Sequence, residues 1–525
     1  MPARFRLTED NRKWWTLGAM CFALFMIMLD NTVVNVALPS IQRSLHTSLG
    51  NLEWTVNAYT LTFGVLLVTG GRMGDIFGRR RMFLAGVMLF AASSAAIGLA
   101  PSDSLLIAGR AVQGVGAAFM MPGTLSIISN TFPPSERGRA IGTWAGVSAL
   151  ALALGPVVGG ALTQYVSWRA IFFINVPVAV GAVAVTLFAT HESRDESIDR
   201  TVDIPGIATL SVGLTSLILA LVESNSWGWG SARVVGLLAL AAVALVTFIW
   251  VELKYSAAPM VQFEFFQSRT FFGANVIAFI ISFAMLAMFF LTALYIQNIL
   301  GYSPLQAGVR FLPTTLMIVL IAPLAGRLTD RIGSRPPMTV GLALVAVALY
   351  LQTKITVSSG YSDLLPAFVL MGIGMALTMA PMSTAAMNAV PAAKAGVASG
   401  ILSMNRMVGG TFGVALLGTI FQTLSHNRLE SNLAGLHLSA AQKSAIADNI
   451  GQSSTGASHP SPQIVHAAHD AFIHGFTGSM ILSTGVAALG ALLAFTLIKS
   501  VKRPKPETVA QPERTAERAA EPVGV

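Results

Sequence analysis

Fourteen apolar stretches, distributed along almost the whole chain, limit what it can fold into more than any other feature. A helix crossing the hydrocarbon of a bilayer needs about 20 such residues, with a working range of roughly 17 to 25. On that rule the stretches run at about 15–38, 54–70, 82–100, 104–125, 139–163, 170–190, 204–223, 232–252, 271–297, 305–326, 337–355, 363–384, 397–424 and 476–498. Length alone, 525 residues, would suggest about three or four soluble domains. Composition overrules that reading, because 54% of the residues are apolar, only 11% are charged and the mean hydropathy is +0.67. Water cannot solvate such a surface. Lipid can, provided every backbone polar group is satisfied inside its own segment, which selects helices. The expected fold class is therefore all-α integral membrane, with 14 transmembrane helices.

The net charge of +9 and the pI near 9.9 do not indicate a nucleic-acid partner. Nucleic-acid binding needs Lys and Arg gathered on one exposed face, and here the cations sit in short clusters between apolar runs. With the N-terminus in the cytoplasm, about 24 Lys and Arg fall inside, about 6 outside and about 3 within spans. The inside clusters include Arg79-Arg80-Arg81, then Arg327, Arg331 and Arg335, and finally Lys499, Lys502, Arg503 and Lys505. This bias predicts a multi-pass protein of the cell membrane with both termini cytoplasmic, which an even number of spans requires. The first apolar run is too long for the core of a cleavable signal and reads as a retained span. The lone cysteine, Cys21, excludes an internal disulfide and argues against a cysteine-based metal site. The tail after Ser500, rich in Pro, Glu, Arg and Ala, reads as disordered.

Comparison of the chain with itself reveals a repeat. Gly71-Arg72-x-x-Asp75-x-x-Gly78-x-Arg80 is echoed by Gly326-Arg327-x-x-Asp330-x-x-Gly333-x-Arg335, at an offset of about 255 residues. At an offset of about 258, Gly114-x-Gly116 matches Gly372-x-Gly374. At that same offset Asn130-x-x-Pro133-(x)4-Gly138-x-Ala140-x-Gly142 matches Asn388-x-x-Pro391-(x)4-Gly396-x-Ala398-x-Gly400. The two Gly-Asp-Gly loops follow spans 2 and 10, so the halves are related by a shift of eight spans while each unit contains six. Spans 7 and 8 are an insert. Both loops lie on the cytoplasmic side, which makes the repeats parallel about an axis along the membrane normal. The expected organisation is a cytoplasmic N-terminus (1–14), a six-helix bundle (15–190) and an inserted pair with flanking loops (191–270). A second six-helix bundle (271–498), interrupted by an extracytoplasmic loop (425–475), and a cytoplasmic tail (499–525) complete it.

Two parallel six-helix bundles with an inserted pair resemble the major facilitator superfamily, in its fourteen-span drug:proton antiporter branch of the EmrB/QacA type. The segment Gly71-Arg72-Met73-Gly74-Asp75-Ile76-Phe77-Gly78-Arg79-Arg80-Arg81 is similar to the superfamily's signature loop. Its glycines permit a sharp turn between helices, Asp75 can bond local N–H groups or a cation, and Arg79 and Arg80 face cytosol and headgroups. In span 1, Leu29-Asp30-Asn31-Thr32-Val33-Val34-Asn35-Val36-Ala37-Leu38-Pro39 resembles the first-span motif of the branch. Burial disfavours the charged form of a carboxyl group, so Asp30 is the first candidate proton carrier; Asn31 or Asn35 is placed to hydrogen-bond it. In span 4, Arg110-Ala111-Val112-Gln113-Gly114-Val115-Gly116 is similar to the branch's span-4 motif. At 1.5 Å per residue, Asp30 lies roughly 12 Å inward from Leu38 and Arg110 roughly 9 Å inward from Leu105, so the two can share a depth.

Span 5 carries Gly155-Pro156-Val157-Val158-Gly159-Gly160, which is similar to a motif used by exporters of the superfamily. Proline removes a backbone donor, and Gly155, Gly159 and Gly160 permit close helix contact. In the second half Gly413 and Gly418 match this motif, but Val414 replaces Pro156, Phe368 replaces Arg110 and Met285 falls opposite Asp30. The first half is thus expected to carry proton coupling and the second an apolar drug surface. Trp168 to Pro177 and Gly301 to Gly308 resemble entries to spans 6 and 10 and are expected to set geometry only. The residues expected to face substrate are Asn31, Asn35, Gln113, Met285, Met288, Phe289, Asn405 and Arg406, since methionine and aromatic side chains repack around differently shaped apolar ligands.

Six of the eight histidines (His426, His437, His459, His466, His469 and His474) fall between spans 13 and 14. His466, Asp470 and His474 share one helical face, but a solvated amphipathic helix explains them better than a metal site. With no P-loop pattern, the drive must come from an ion gradient. The resemblance implies a proton-coupled antiporter that exports amphipathic or lipophilic small molecules by alternating access. It is expected to need no cofactor and no metal, to work as a monomer, to have lipid, substrate and protons as partners, and not to be an enzyme; whether it has a periplasmic adaptor is not legible. A dedicated exporter of one metabolite or antibiotic is the alternative in the same fold, and a non-transporting membrane sensor or scaffold is the alternative of another class.

Overall fold

The computed structural model describes residues 8–47, 49–196, 201–256, 259–433 and 462–499, and contains no strand among them. The first group of helices is α1 (Glu9–Leu45), α2 (Leu49–Phe77), α3 (Arg79–Gly98), α4 (Asp103–Thr131), α5 (Arg137–Tyr165) and a broken sixth span, α6 (Ala170–Phe173) with α7 (Asn175–Ala189). The pair α8 (Ile204–Trp227) and α9 (Ala232–Lys254) follows. The second group is α10 (Arg269–Leu294), a broken span made of α11 (Pro304–Arg310) and α12 (Leu312–Ile332), α13 (Arg335–Gln352), α14 (Tyr361–Asn388), α15 (Ala395–Leu433) and α16 (Pro462–Leu497). The described helices supply 12 spans long and apolar enough to cross a membrane. The other two expected spans are present as the helices α2 and α13. These are less apolar because α2 carries Asn57, Thr60, Thr62 and a glycine-rich end, while α13 is short and opens on Arg335-Pro336-Pro337.

Side-chain oxygens start the helices where the sequence offers them. Ser102, Asp203, Ser231 and Ser268 each accept a hydrogen bond from the backbone N–H three residues on, and Ser303 with Gln306 forms a reciprocal capping box. Gly78 (φ 108°) and Gly333 (φ 84°) occupy equivalent places in the two repeat loops. A side chain at either φ would be strained, so both halves place glycine there to turn between consecutive helices.

Helices α1 to α7 pack mainly on one another, as do α10 to α16, and the two bundles meet along α2 against α15 and α5 against α12. The hairpin α8–α9 leans on both α2 and α15. One expectation needs correcting. The loop expected at 425–475 is helical on both flanks, since α15 runs to Leu433 and α16 begins at Pro462. Polar residues there extend the helices past the apolar stretch, and the two ends are tied by Asp470, which accepts from Arg428 at 2.8 Å and from Asn432 at 2.9 Å. Asp470 is thus engaged in helix packing, while His437, His459 and the tail lie outside the described residues.

Candidate functional site

A polar cluster within the first bundle is built around Asp30, which is completely buried. Arg110 Nη1 donates to Asp30 Oδ2 at 2.5 Å, while Oδ1 accepts from Gln113 Nε2 at 2.9 Å and from Asn175 Nδ2 at 3.1 Å. Both amides also donate to Ser94 Oγ, at 2.7 and 3.3 Å. The guanidinium is held from three further sides. Nε donates to Thr55 O at 3.0 Å, Nη1 reaches Gln113 Oε1 at 2.7 Å, and the group lies 4.2 Å from the centre of the Tyr59 ring. Helices α1, α2, α3, α4 and α7 therefore each contribute to one enclosed cluster.

Taking two charges out of water costs several kcal/mol per ion, and mutual attraction offsets that only when the remaining lone pairs and protons are also satisfied. Here they are. A proton arriving on Asp30 would weaken its bond to Arg110, which would still have Gln113 Oε1, Thr55 O and the Tyr59 face to hold it. The arrangement can exchange one proton for one guanidinium contact while Arg110 keeps hydrogen bonds to neutral acceptors.

A second constellation joins the bundles at one end. The first N–H groups of a helix have no partner inside it and carry its positive dipole end. Asp75, at the end of α2, meets this need for α15, with Oδ1 accepting from Gly396 N at 3.0 Å and Oδ2 from Val397 N at 2.8 Å. Arg79 bonds Asp75 at 2.6 and 2.9 Å, and donates to Ala392 O at 3.0 Å and to Ala393 O. The repeat-equivalent Asp330 does the same for α5, accepting from Gly138 N and Arg139 N, both at 3.1 Å. The glycines explain how the backbones come so close. A Cβ on Gly71 would lie 2.2 Å from Gly396 O, and one on Gly326 would lie 2.1 Å from Gly138 O. We call this pair of contacts the latch. Arg80 stands beside it, donating to Leu187 O at 3.0 Å.

The span-5 glycines face α1. A Cβ on Gly155 would overlap Thr32 Oγ1 at 1.7 Å and one on Gly159 would lie 2.9 Å from Val33 Cα, whereas Gly160 has room, its nearest neighbours being 3.9 Å away. The helix α5 runs unbroken through Pro156. The matching Gly413 meets Phe283 O on α10 in the same manner, at 2.4 Å.

The residues expected to face substrate are placed as follows. Gln113 belongs to the Asp30 cluster and is fully buried. Asn31 and Asn35 donate to Ile27 O and Asn31 O, carbonyls one turn back, and do not supply the amides that hold Asp30. Met288 is fully buried, Met285 is partly buried in the core, and Phe289 packs edge-on to Phe311 with centroids 5.1 Å apart. Asn405 Nδ2 donates to Asn275 Oδ1 on α10 at 3.1 Å. Arg406 differs from these. It lies seven residues, two helical turns, beyond Ser399 on one face of α15, and Ser399 Oγ donates to Pro122 O of α4 across the bundle interface at 2.7 Å. Arg406 thus faces the first bundle from beyond that closing contact, and its Nε has no hydrogen-bond partner.

Sequence reading missed Asn175, Ser94, Tyr59 and Thr55. Asn175 carried a signal, a lone amide in an apolar span two residues before Pro177; the break at Ile174 between α6 and α7 is what aims it at Asp30.

Comparison with known proteins agrees with this architecture. Residues 20–414 match the family model described as Major Facilitator Superfamily. The chain is 34% identical to the tetracenomycin C resistance and export protein of Streptomyces glaucescens, over 97% of this chain and 96% of that protein. It is 35% identical to the multidrug resistance protein Stp of Mycobacterium tuberculosis, over 90% of each, and 35% identical to the puromycin resistance protein pur8 of Streptomyces alboniger, over 95% and 94%. Among solved structures, the proton:xylose symporter XylE bound to 6-bromo-6-deoxy-D-glucose superposes with a TM-score of 0.61 at 12% identity, covering 94% of this chain and 97% of that one. With the paired bundles, the repeated latch and a family match across most of its length, this chain belongs to the major facilitator superfamily.

Proposed function

We propose that this protein exports amphipathic small molecules in exchange for protons, with Asp30 as the group that gains and loses the proton. The observation carrying the reading is the enclosed cluster in which Asp30 bonds Arg110, Gln113 and Asn175. The names of the relatives, which export or confer resistance to tetracenomycin C, puromycin and multiple drugs, support export.

The distribution of Lys and Arg supports placing the latch end in the cytosol, so the arrangement with joined latch ends is the one closed to the cytosol and open to release. Protonation of Asp30 from outside frees Arg110, the change in α1 and α4 loosens the latch, and the bundles rock until the substrate face opens inward. Substrate binding and loss of the proton to the cytosol reverse the movement. Arg406, facing the other bundle with a free Nε, gives an acidic or phenolic substrate its positive contact, and the neighbouring apolar residues take the remainder.

The test uses everted membrane vesicles and two xanthene dyes of opposite charge, fluorescein and rhodamine 6G, with an imposed pH gradient. The parent is expected to move at least one dye only while the gradient lasts, and Asp30→Asn to lose roughly 10²-fold or more of that rate, the scale set by removal of a positioned proton carrier. Gradient-driven movement at the parental rate in Asp30→Asn would refute the proposal.

A further inference from the structure

The hairpin α8–α9 carries two acidic side chains that the transport cycle above does not use. Asp203 caps α8, with Oδ1 accepting from Gly206 N at 2.8 Å. Glu252, 5% exposed, lies in the last turn of α9, and its Oε2 accepts from Val261 N at 3.1 Å. The second oxygen of each, Asp203 Oδ2 and Glu252 Oε1, is buried and has no hydrogen-bond partner. Both converge over Gly206, where a Cβ would lie 2.6 Å from Glu252 Oε1 and 2.7 Å from Asp203 Oδ2. The two carboxyl groups are within hydrogen-bonding reach of one another.

Two ionised carboxylates facing each other out of water repel, and each leaves an acceptor empty; a single proton between them turns the pair into donor and acceptor. The surrounding charges fit a pair holding one negative charge. Arg72 of α2, 5% exposed, interacts electrostatically with Glu252, Asp203, Asp195 and Asp75, yet its Nη2 makes no hydrogen bond. Asp75 is bonded to Arg79, and Asp195 donates its backbone N–H to Asp75 O at 2.9 Å. On the far side of Val261, Lys394 is taken up by Gln262 at 2.5 Å. Loss of the shared proton would set two negative charges of the pair, with Asp195 nearby, against the one guanidinium. A cavity of about 250 Å³ lined by Asp203, Thr201, Pro205, Val251 and Tyr255 adjoins the Asp203 side of the pair.

We propose that Asp203 and Glu252 form a second proton-binding site, separate from Asp30, that senses cytosolic pH at the foot of the inserted hairpin beside the latch. With the proton bound, α8, α9 and α2 are held together. As cytosolic pH rises the proton leaves to water in the adjoining cavity, the carboxylates repel, and the hairpin loosens from α2, the helix that carries Asp75. The sign follows from the geometry: the donor–acceptor contact between the two carboxyl groups exists while the shared proton is bound at low pH and becomes a repulsion when the proton leaves as pH rises.

The full-length protein in detergent is unfolded thermally across pH, as parent, Asp203→Asn, Glu252→Gln and Asp30→Asn. An amide at either acid donates permanently to the facing carboxylate. The parent and Asp30→Asn are expected to lose about 2 °C or more between roughly pH 6 and pH 9, while Asp203→Asn and Glu252→Gln lose less than half as much. Infrared difference spectra give a second readout: a protonated-carboxyl band present at low pH persists in Asp30→Asn and is lost when Glu252→Gln or Asp203→Asn is added to Asp30→Asn. Either amide variant alone suffices if the other fails to fold. Parental pH dependence in the amide variants, or a carboxyl band that survives both substitutions in the Asp30→Asn background, overturns the second site while leaving the role of Asp30 untouched.

Discussion

Asp75→Asn should open the latch, and its size can be worked from the contacts. Asp75 spends one oxygen on Gly396 N and Arg79, and the other on Val397 N. Asparagine keeps one acceptor, so one charge-assisted hydrogen bond is lost, worth about 1.5–3 kcal/mol. The interaction of the charge with the N-terminus of α15 goes with it, adding about 0.3–1 kcal/mol. Arg79 retains Ala392 O and Ala393 O, which softens the loss. A net cost of about 2–3 kcal/mol displaces the equilibrium between closed and open latch ends by roughly 30- to 150-fold. The natural cysteine, Cys21, is buried and is replaced by Ala; Ser399, fully buried and bonded to Pro122 O across the interface, becomes the reporter as Ser399→Cys. Maleimide labelling of that thiol should accelerate by roughly 10-fold or more in Asp75→Asn, within the estimated displacement. A labelling rate within about twofold of the parent would show that the capping bonds do not hold the bundles together, whatever their geometry.

Four further outcomes follow from other contacts. Gly71→Ala and Gly326→Ala place a methyl group against backbone oxygen at 2.2 and 2.1 Å and should raise reporter labelling as Asp75→Asn does, whereas Gly74→Ala, with its nearest neighbour at 3.8 Å, should leave it unchanged. Asn175→Leu deprives buried Asp30 and Ser94 of a donor and should cost about 1–3 kcal/mol in thermal unfolding, with gradient-driven export shifted along its pH profile; Arg110→Lys should abolish that export, since an ammonium lacks the fork that meets Asp30, Gln113 and Thr55 together. One monoanion leaving for one proton entering moves two charges, worth about 2.3 kcal/mol each per 100 mV, whereas a monocation for a proton moves none. A potassium–valinomycin potential without a pH gradient should therefore speed export of an anionic dye but not of rhodamine 6G, and Arg406→Gln should remove that difference.

The fold was legible because the bilayer imposes a length on each apolar run and because two loops repeat Gly, Asp and Gly in order. The Asp30–Arg110 pairing was within reach for a similar reason, since the rise per residue puts both at one depth. Its surroundings were not. Asn31 and Asn35 stand near Asp30 in sequence, but neighbours one and five residues apart on a helix point about 100° and 140° away, and the amides that reach Asp30 come from α4 and α7. Apart from nearby Arg79, the partners of Asp75 are backbone N–H groups more than 300 residues away, which carry no side-chain signature to read. Met288 was expected at a drug surface on its residue type, and type does not separate a helix face turned to the core from one turned to the opposite bundle.

The two halves preserve one constellation and differ in the other, and the physics of each accounts for the difference. Closing a gap between two bundles related by an axis through it requires matched contacts on both sides, so Asp75 with Gly71 and Asp330 with Gly326 recur in the same geometry. A buried ion pair has no such requirement and costs several kcal/mol per charge before its partners offset it. Where the first half encloses Arg110, the second places Phe368, ringed by Phe311 at 5.2 Å and Tyr361 at 6.2 Å, and Met285 stands opposite Asp30. Under the proposed cycle a single polar cluster suffices, because rocking of one rigid bundle against another transmits its change to both latch contacts at once. The second half is thereby free to present apolar and aromatic surface, with Arg406 as the charge facing across the interface.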